Sequence, residues 1–110
     1  MHVDECLEAV QRLVESDFTG PVNIGSEEMI SINNFAQMAI DISGKDLTIH
    51  NLDGKQFEDK YGHKCPIGVN GRNSDNALYR EKIGWEVSQP LVVGMKKTYQ
   101  WINEQVIKRG

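Results

Sequence analysis

The sequence predicts a small α/β domain in which helices are in the majority and two short strands form a parallel sheet. Three observations carry that expectation. Apolar residues recur at intervals of three and four along three long stretches, the mark of amphipathic helices. Two short runs, residues 21–25 and 47–50, have strand character and are separated by one of those helical stretches, so they can lie parallel in one sheet. Glycine and proline stand at the joints between these elements. With 110 residues the chain is read as one domain, residues 1–110.

Asp4 is expected to cap a first helix whose face runs through Leu7, Val10, Leu13 and Val14 and which stops near Ser16 and Asp17. Past Gly20 and Pro21, residues 21–25 read as a strand closed by a turn at Gly25 and Ser26. Ser31 then caps a second helix that presents Ile32, Phe35, Ala36, Ala39 and Ile42 and ends at Gly44. Residues 47–50 form the second strand. From 53 to 66 the chain is polar and aperiodic and reads as a long loop, with room for a helical turn over 56–60. A third helix begins at Ser74 or Asp75 and ends at Gly84 and Trp85. The last starts near Pro90, runs to about Lys108, and sets Leu91, Met95, Thr98, Ile102 and Val106 on its inner face. Phe35, Trp85, Tyr99 and Trp101 sit at core-like positions and are read as packing.

Composition narrows the function. The formal net charge of −4, from 12 basic and 16 acidic residues, argues against non-specific nucleic-acid binding, so an anion site must be local. No apolar run approaches the length of a membrane span and the N-terminus lacks a signal-peptide pattern, which predicts a cytoplasmic protein with no membrane partner. Cys6 and Cys65 form no CxxC pair and are read as free thiols.

The segment Gly71-Arg72-Asn73-Ser74-Asp75-Asn76 is the leading candidate site. A guanidinium beside a helix start offers a fork of donors next to unpaired backbone amides, a combination suited to phosphate. Arg72, Asn73 and Ser74 are therefore the expected anion-binding residues. His50, His63 and Cys65, with Asp53, Glu58 and Asp59, match no compact metal-ligand spacing, so no metal is expected. No catalytic residue is assigned. The residue four after Tyr61 is Cys65 rather than a lysine, no GxGxxG loop occurs, and nothing local orients a histidine toward a nucleophile.

Five strings occur in order: Val3-Asp4-Glu5-Cys6, Pro21-Val22-Asn23-Ile24-Gly25-Ser26, Gly68 through Asn76, Lys82-Ile83-Gly84-Trp85 and Thr98-Tyr99-Gln100-Trp101-Ile102. Together they resemble the C-terminal part of the extended short-chain dehydrogenase/reductases, in the branch of NAD-dependent epimerases and dehydratases. The resemblance covers nearly the whole chain apart from residues 53–66. It implies a C-terminal substrate-binding domain, with Arg72 contacting the diphosphate of GDP-mannose or a related GDP-sugar. It also implies an N-terminal Rossmann domain that is absent from these residues, and NAD bound there rather than in this segment. The complete enzyme would be a homodimer and this chain alone inactive. Asn70 departs from the family, which commonly has a basic residue two positions before the arginine. The rival from another class is a stand-alone nucleotide-binding or protein-interaction module. A related nucleotide-sugar epimerase or dehydratase is the other alternative. If a partner domain is missing, the first helix should expose an apolar patch through Val10, Leu13 or Val14.

Overall fold

The computed structural model describes residues 1–110 and contains five helices and no strand. They are α1 (Val3–Glu15), α2 (Ile32–Ser43), α3 (Gly54–Tyr61), α4 (Ala77–Ile83) and α5 (Leu91–Arg109). The expected α/β class with a parallel sheet is therefore corrected to an all-helical arrangement joined by extended segments. A strand exists only when its backbone groups find a neighbour. No backbone hydrogen bond joins residues 21–25 to 47–50. The first segment instead runs beside residues 73–76, mostly through asparagine side chains, and the only loop bond within the second is Leu47 N to the Lys45 carbonyl at 3.1 Å.

Local chemistry explains the helix ends. His2, with extended backbone, is the N-cap of α1, and its Nδ1 accepts from Asp4 N at 3.2 Å; Asp4 falls one step later, in the first turn, where its charge favours the helix dipole. Ser16 closes α1 by donating its hydroxyl to the Leu13 carbonyl. Ser31 Oγ accepts from Asn34 N at 3.1 Å, and Gly44 at φ 64° ends α2, as the sequence predicts. Residues 54–61, expected to be loop with at most a turn, form a complete helix. Asp53 accepts from Gln56 N while the Gln56 side chain accepts from Asp53 N, a reciprocal cap that the Asp53-x-x-Gln56 spacing already encodes. Phe57 meets Tyr61 of the same helix at a tilt and His63, just past its end, edge-on, at centroid distances of 4.6 and 5.4 Å.

Two small clusters hold the chain together. In the first, Tyr79 of α4 is buried against Ala9 of α1, donates its hydroxyl to the Ala9 carbonyl at 2.8 Å, and meets Trp85 edge-on. Arg12 lies over the Trp85 ring at 5.7 Å. Burial pushes the Tyr79 phenol upward, with Glu8 adding to the shift and Arg12 opposing it. In the second, α2 packs along α5, the one helix pair with an extended interface. The start of α1 rests on α5 at Gly94, where a Cβ would stand 3.0 Å from that of His2. Glu28 Oε2 accepts from Leu91 N at 2.9 Å and so caps α5.

The clusters do not add up to a core. Only Ala9, Asn76, Tyr79 and Gly94 are buried. The accessible surface is 8760 Å², against about 6,100 Å² for a compact monomer of this mass. The radius of gyration is 18.2 Å, against about 13 Å for a compact domain of this length. Val3, Leu7, Val10 and Val14 form an exposed stripe along α1, Val14 at 77% exposure, while Leu13 turns inward. Trp101, Phe35, Ile102 and Val106, expected to pack inward, are exposed as well, whereas Trp85 and Tyr99 are half-buried. No helix is long and apolar enough to cross a membrane.

Candidate functional site

Arg72 lies on an extended segment laid across residues 25–29. Gly25 allows the approach, since a Cβ there would stand 2.7 Å from Ser74 Cβ. Ser74 N donates to the Ser26 carbonyl at 3.0 Å. Asn73 Nδ2 donates to the Glu27 carbonyl at 3.0 Å, Asn76 Nδ2 to the Gly25 carbonyl at 2.6 Å, and Asn23 Nδ2 to the Asp75 carbonyl at 3.4 Å. Ser74 Oγ donates to Asn76 Oδ1 at 2.6 Å. Upstream of the arginine, Gly71 sits against Met29, whose Sδ would be 3.1 Å from a Cβ there.

Of the three expected anion-binding residues, Asn73 and Ser74 thus spend their side chains on tying down the segment. Arg72 is exposed and pairs with no carboxylate. Two of the amides at the start of α4, those of Asn76 and Ala77, are already engaged. Asn76 N donates to Glu27 Oε1 at 3.1 Å and Ala77 N to Asp75 Oδ1 at 3.0 Å.

The cleft beside that helix start, about 280 Å³, is lined by Glu27, Glu28, Glu86, Asn76 and Arg80 among others, and Arg72 is not part of it. Three carboxylates outweigh one guanidinium that is itself paired, so this cleft disfavours a diphosphate.

Sequence reasoning missed Glu27 and Arg80. Glu27 Oε1 accepts from Arg80 Nη1 at 2.6 Å and from the Asn76 amide, while Glu86 approaches the far side of Arg80 at 3.9 Å. No local signal could reveal partners 53 residues apart. Asn76 was legible only as part of the polar string, and its burial depends on the fold.

The Arg80 hydrogen bond, followed by that from Asn76 N, holds the Glu27 carboxyl below its ordinary value of 4.5 against a smaller desolvation effect. Arg80 is raised in turn, chiefly by Glu27. A carboxyl depressed by folding contributes stability above its unfolded value and loses it as pH falls through the folded value, so the window lies below 4.5. Carbon-13 NMR of the Glu27 carboxyl, in the protein that carries this chain, is expected to give a midpoint below 4.5 that moves back upward in Arg80→Ala. An unperturbed Glu27 midpoint would show that the pair does not form in solution.

No group of three histidine, cysteine, aspartate or glutamate side chains is arranged to hold a metal ion. His63 Nδ1 lies 3.0 Å from the Lys64 carbonyl, and Cys65 is half-buried. Nothing in the chain resembles a dinucleotide loop or an acid/base pair.

No family model matches the chain. It is 47% identical over 106 residues, 96% of its length, to a GDP-mannose 3,5-epimerase of Arabidopsis thaliana. It is 45% identical over 106 residues to GDP-mannose 3,5-epimerase 1 of Oryza sativa subsp. japonica. A UDP-glucuronic acid decarboxylase 6 of Arabidopsis thaliana is 28% identical over 94 residues, 86% of the chain. The chain spans only about a quarter of the length of these relatives, 25% for the two epimerases and 24% for the decarboxylase. In sequence, the chain belongs with the C-terminal part of the GDP-mannose 3,5-epimerases.

Proposed function

We propose that the chain is the GDP-sugar-binding portion of an NAD-dependent GDP-mannose 3,5-epimerase, a cytoplasmic, homodimeric isomerase of the extended short-chain dehydrogenase/reductase type. By itself the chain is inactive. The observation that carries this reading is the 47% identity over 96% of the chain. Two structural features support it. Arg72 is free of intramolecular partners, and the apolar stripe of α1 lacks the cover that a Rossmann domain would supply. The thin core weighs against a stand-alone module.

In the complete enzyme, NAD supplies reversible hydride transfer at the sugar. No residues of this chain fit the dinucleotide, so none is assigned to that step or to the proton transfers beside the transient ketone. What the chain contributes is binding and orientation. Arg72 would donate from its guanidinium fork to the diphosphate oxygens, fixing the sugar relative to the catalytic domain.

A chimera tests this directly. Joining the chain to the N-terminal three-quarters of the Arabidopsis relative, in place of that enzyme's own C-terminal part, should give a protein that binds GDP-mannose and epimerises it. A folded chimera that binds NAD yet shows no affinity for GDP-mannose would overturn the reading.

A further inference from the structure

The arginine proposed to hold the diphosphate has no brace of its own. Its position depends on how its backbone is seated, and both flanks of that backbone rest on one short segment. Gly71 lies against Met29, and Asn73 is tied to the Glu27 carbonyl. Downstream, the Glu27 carboxylate holds the Asn76 amide and reaches Arg80 inside α4. Glu27 thus grips the segment through its own main chain just past Arg72, and through its side chain at the helix start. Asn76, at 6% exposure, completes the tie by donating to the Gly25 carbonyl and accepting from Ser74 Oγ.

We propose that Glu27 and Asn76 are positioning residues for Arg72, seating its backbone so that the guanidinium meets the diphosphate in register. The inference rests on the reading of Arg72 given above. A two-pronged hydrogen bond is sensitive to displacement, and an error of about 1 Å at a binding group can cost on the order of 100-fold in function. The geometry also allows a discriminating sign. Glu27 is an anion near a proposed anion site, so removing it on electrostatic grounds alone should tighten phosphate binding, and it would release Arg80 as an additional cation. Positioning requires the opposite.

The test is a double-mutant cycle in the protein that carries this chain, with dissociation constants for GDP-mannose and for inorganic pyrophosphate measured by calorimetry. Glu27→Ala is expected to weaken binding of both probes about tenfold when Arg72 is present, and by less than about twofold in the Arg72→Ala background. Glu27→Gln keeps the acceptor for Asn76 N but gives up the charge on Arg80, and should lose about threefold. Asn76→Asp places an oxygen against the Gly25 carbonyl and should behave like Glu27→Ala. Tighter binding by Glu27→Ala, unchanged binding, or an equal loss in both arginine backgrounds would overturn the proposal while leaving the Arg72 reading intact. If Arg72→Ala itself costs nothing, that reading falls and the proposal with it. Should Glu27→Ala fail to fold, the same cycle run with Glu27→Gln decides by the same criterion.

Discussion

Heating the isolated 110-residue chain is expected to melt its helices gradually, with no cooperative transition, and an apolar dye should bind it at room temperature. Cooperativity comes from burying apolar surface in a shared core. Here only four residues are buried, and the accessible surface of 8760 Å² exceeds that of a compact monomer by roughly 2,700 Å². That excess is of the order that two tightly associated domains or subunits bury between them. Nor do the helices stand on their own propensity, since all but α5 are within or below the length at which isolated helices are marginal in water. Gly54 also sits in the first turn of the eight-residue α3. The same chain within the chimera should melt with the rest of the protein in a single step, and the dye signal should fall as the Val3, Leu7, Val10 and Val14 stripe is covered. A sharp two-state melt of the isolated chain as a monomer would show that it is a self-contained domain, and would revive the stand-alone reading.

Replacing Arg72 by alanine should weaken GDP-mannose binding in the complete protein by about 10- to 140-fold, the loss of a charged hydrogen-bonding group worth about 1.5–3 kcal/mol. The size of the effect depends on cover. An exposed guanidinium facing water gains little from an anion because solvent screens both charges. Arg72 is exposed in the isolated chain, so there the substitution should change pyrophosphate affinity only slightly. If, as the proposed function requires, another domain closes over the ligand, water is excluded and the same contact strengthens. Stability should be nearly unaffected in either setting, since the side chain forms no ion pair and Asn73, Ser74 and Asn76 make the ties that hold the segment. Equal affinities of wild-type and Arg72→Ala complete proteins, read by calorimetry, would show that the arginine is only a surface residue.

By itself the sequence determined the local elements and the family. Apolar spacing located α1, α2 and α5; Ser31, Gly44 and Gly84 marked ends that the structure reproduces; and the Gly71 to Asn76 string singled out Arg72. These features are legible because caps, periodicity and turns involve residues within a few positions of one another. The Asp53 and Gln56 box obeys the same rule, and the helix it starts was readable in principle although the polar composition of 53–66 suggested a loop. Tertiary structure alone decided three things: that residues 21–25 and 47–50 make no sheet, that Glu27 reaches Arg80 and the Asn76 amide, and that the inner face of α5 remains largely open, whereas the open stripe of α1 was expected from the resemblance. Each turns on whether two distant stretches of chain come together. A strand, a long-range ion pair and a buried face are properties of a pair of surfaces, and a sequence read position by position describes only one of them.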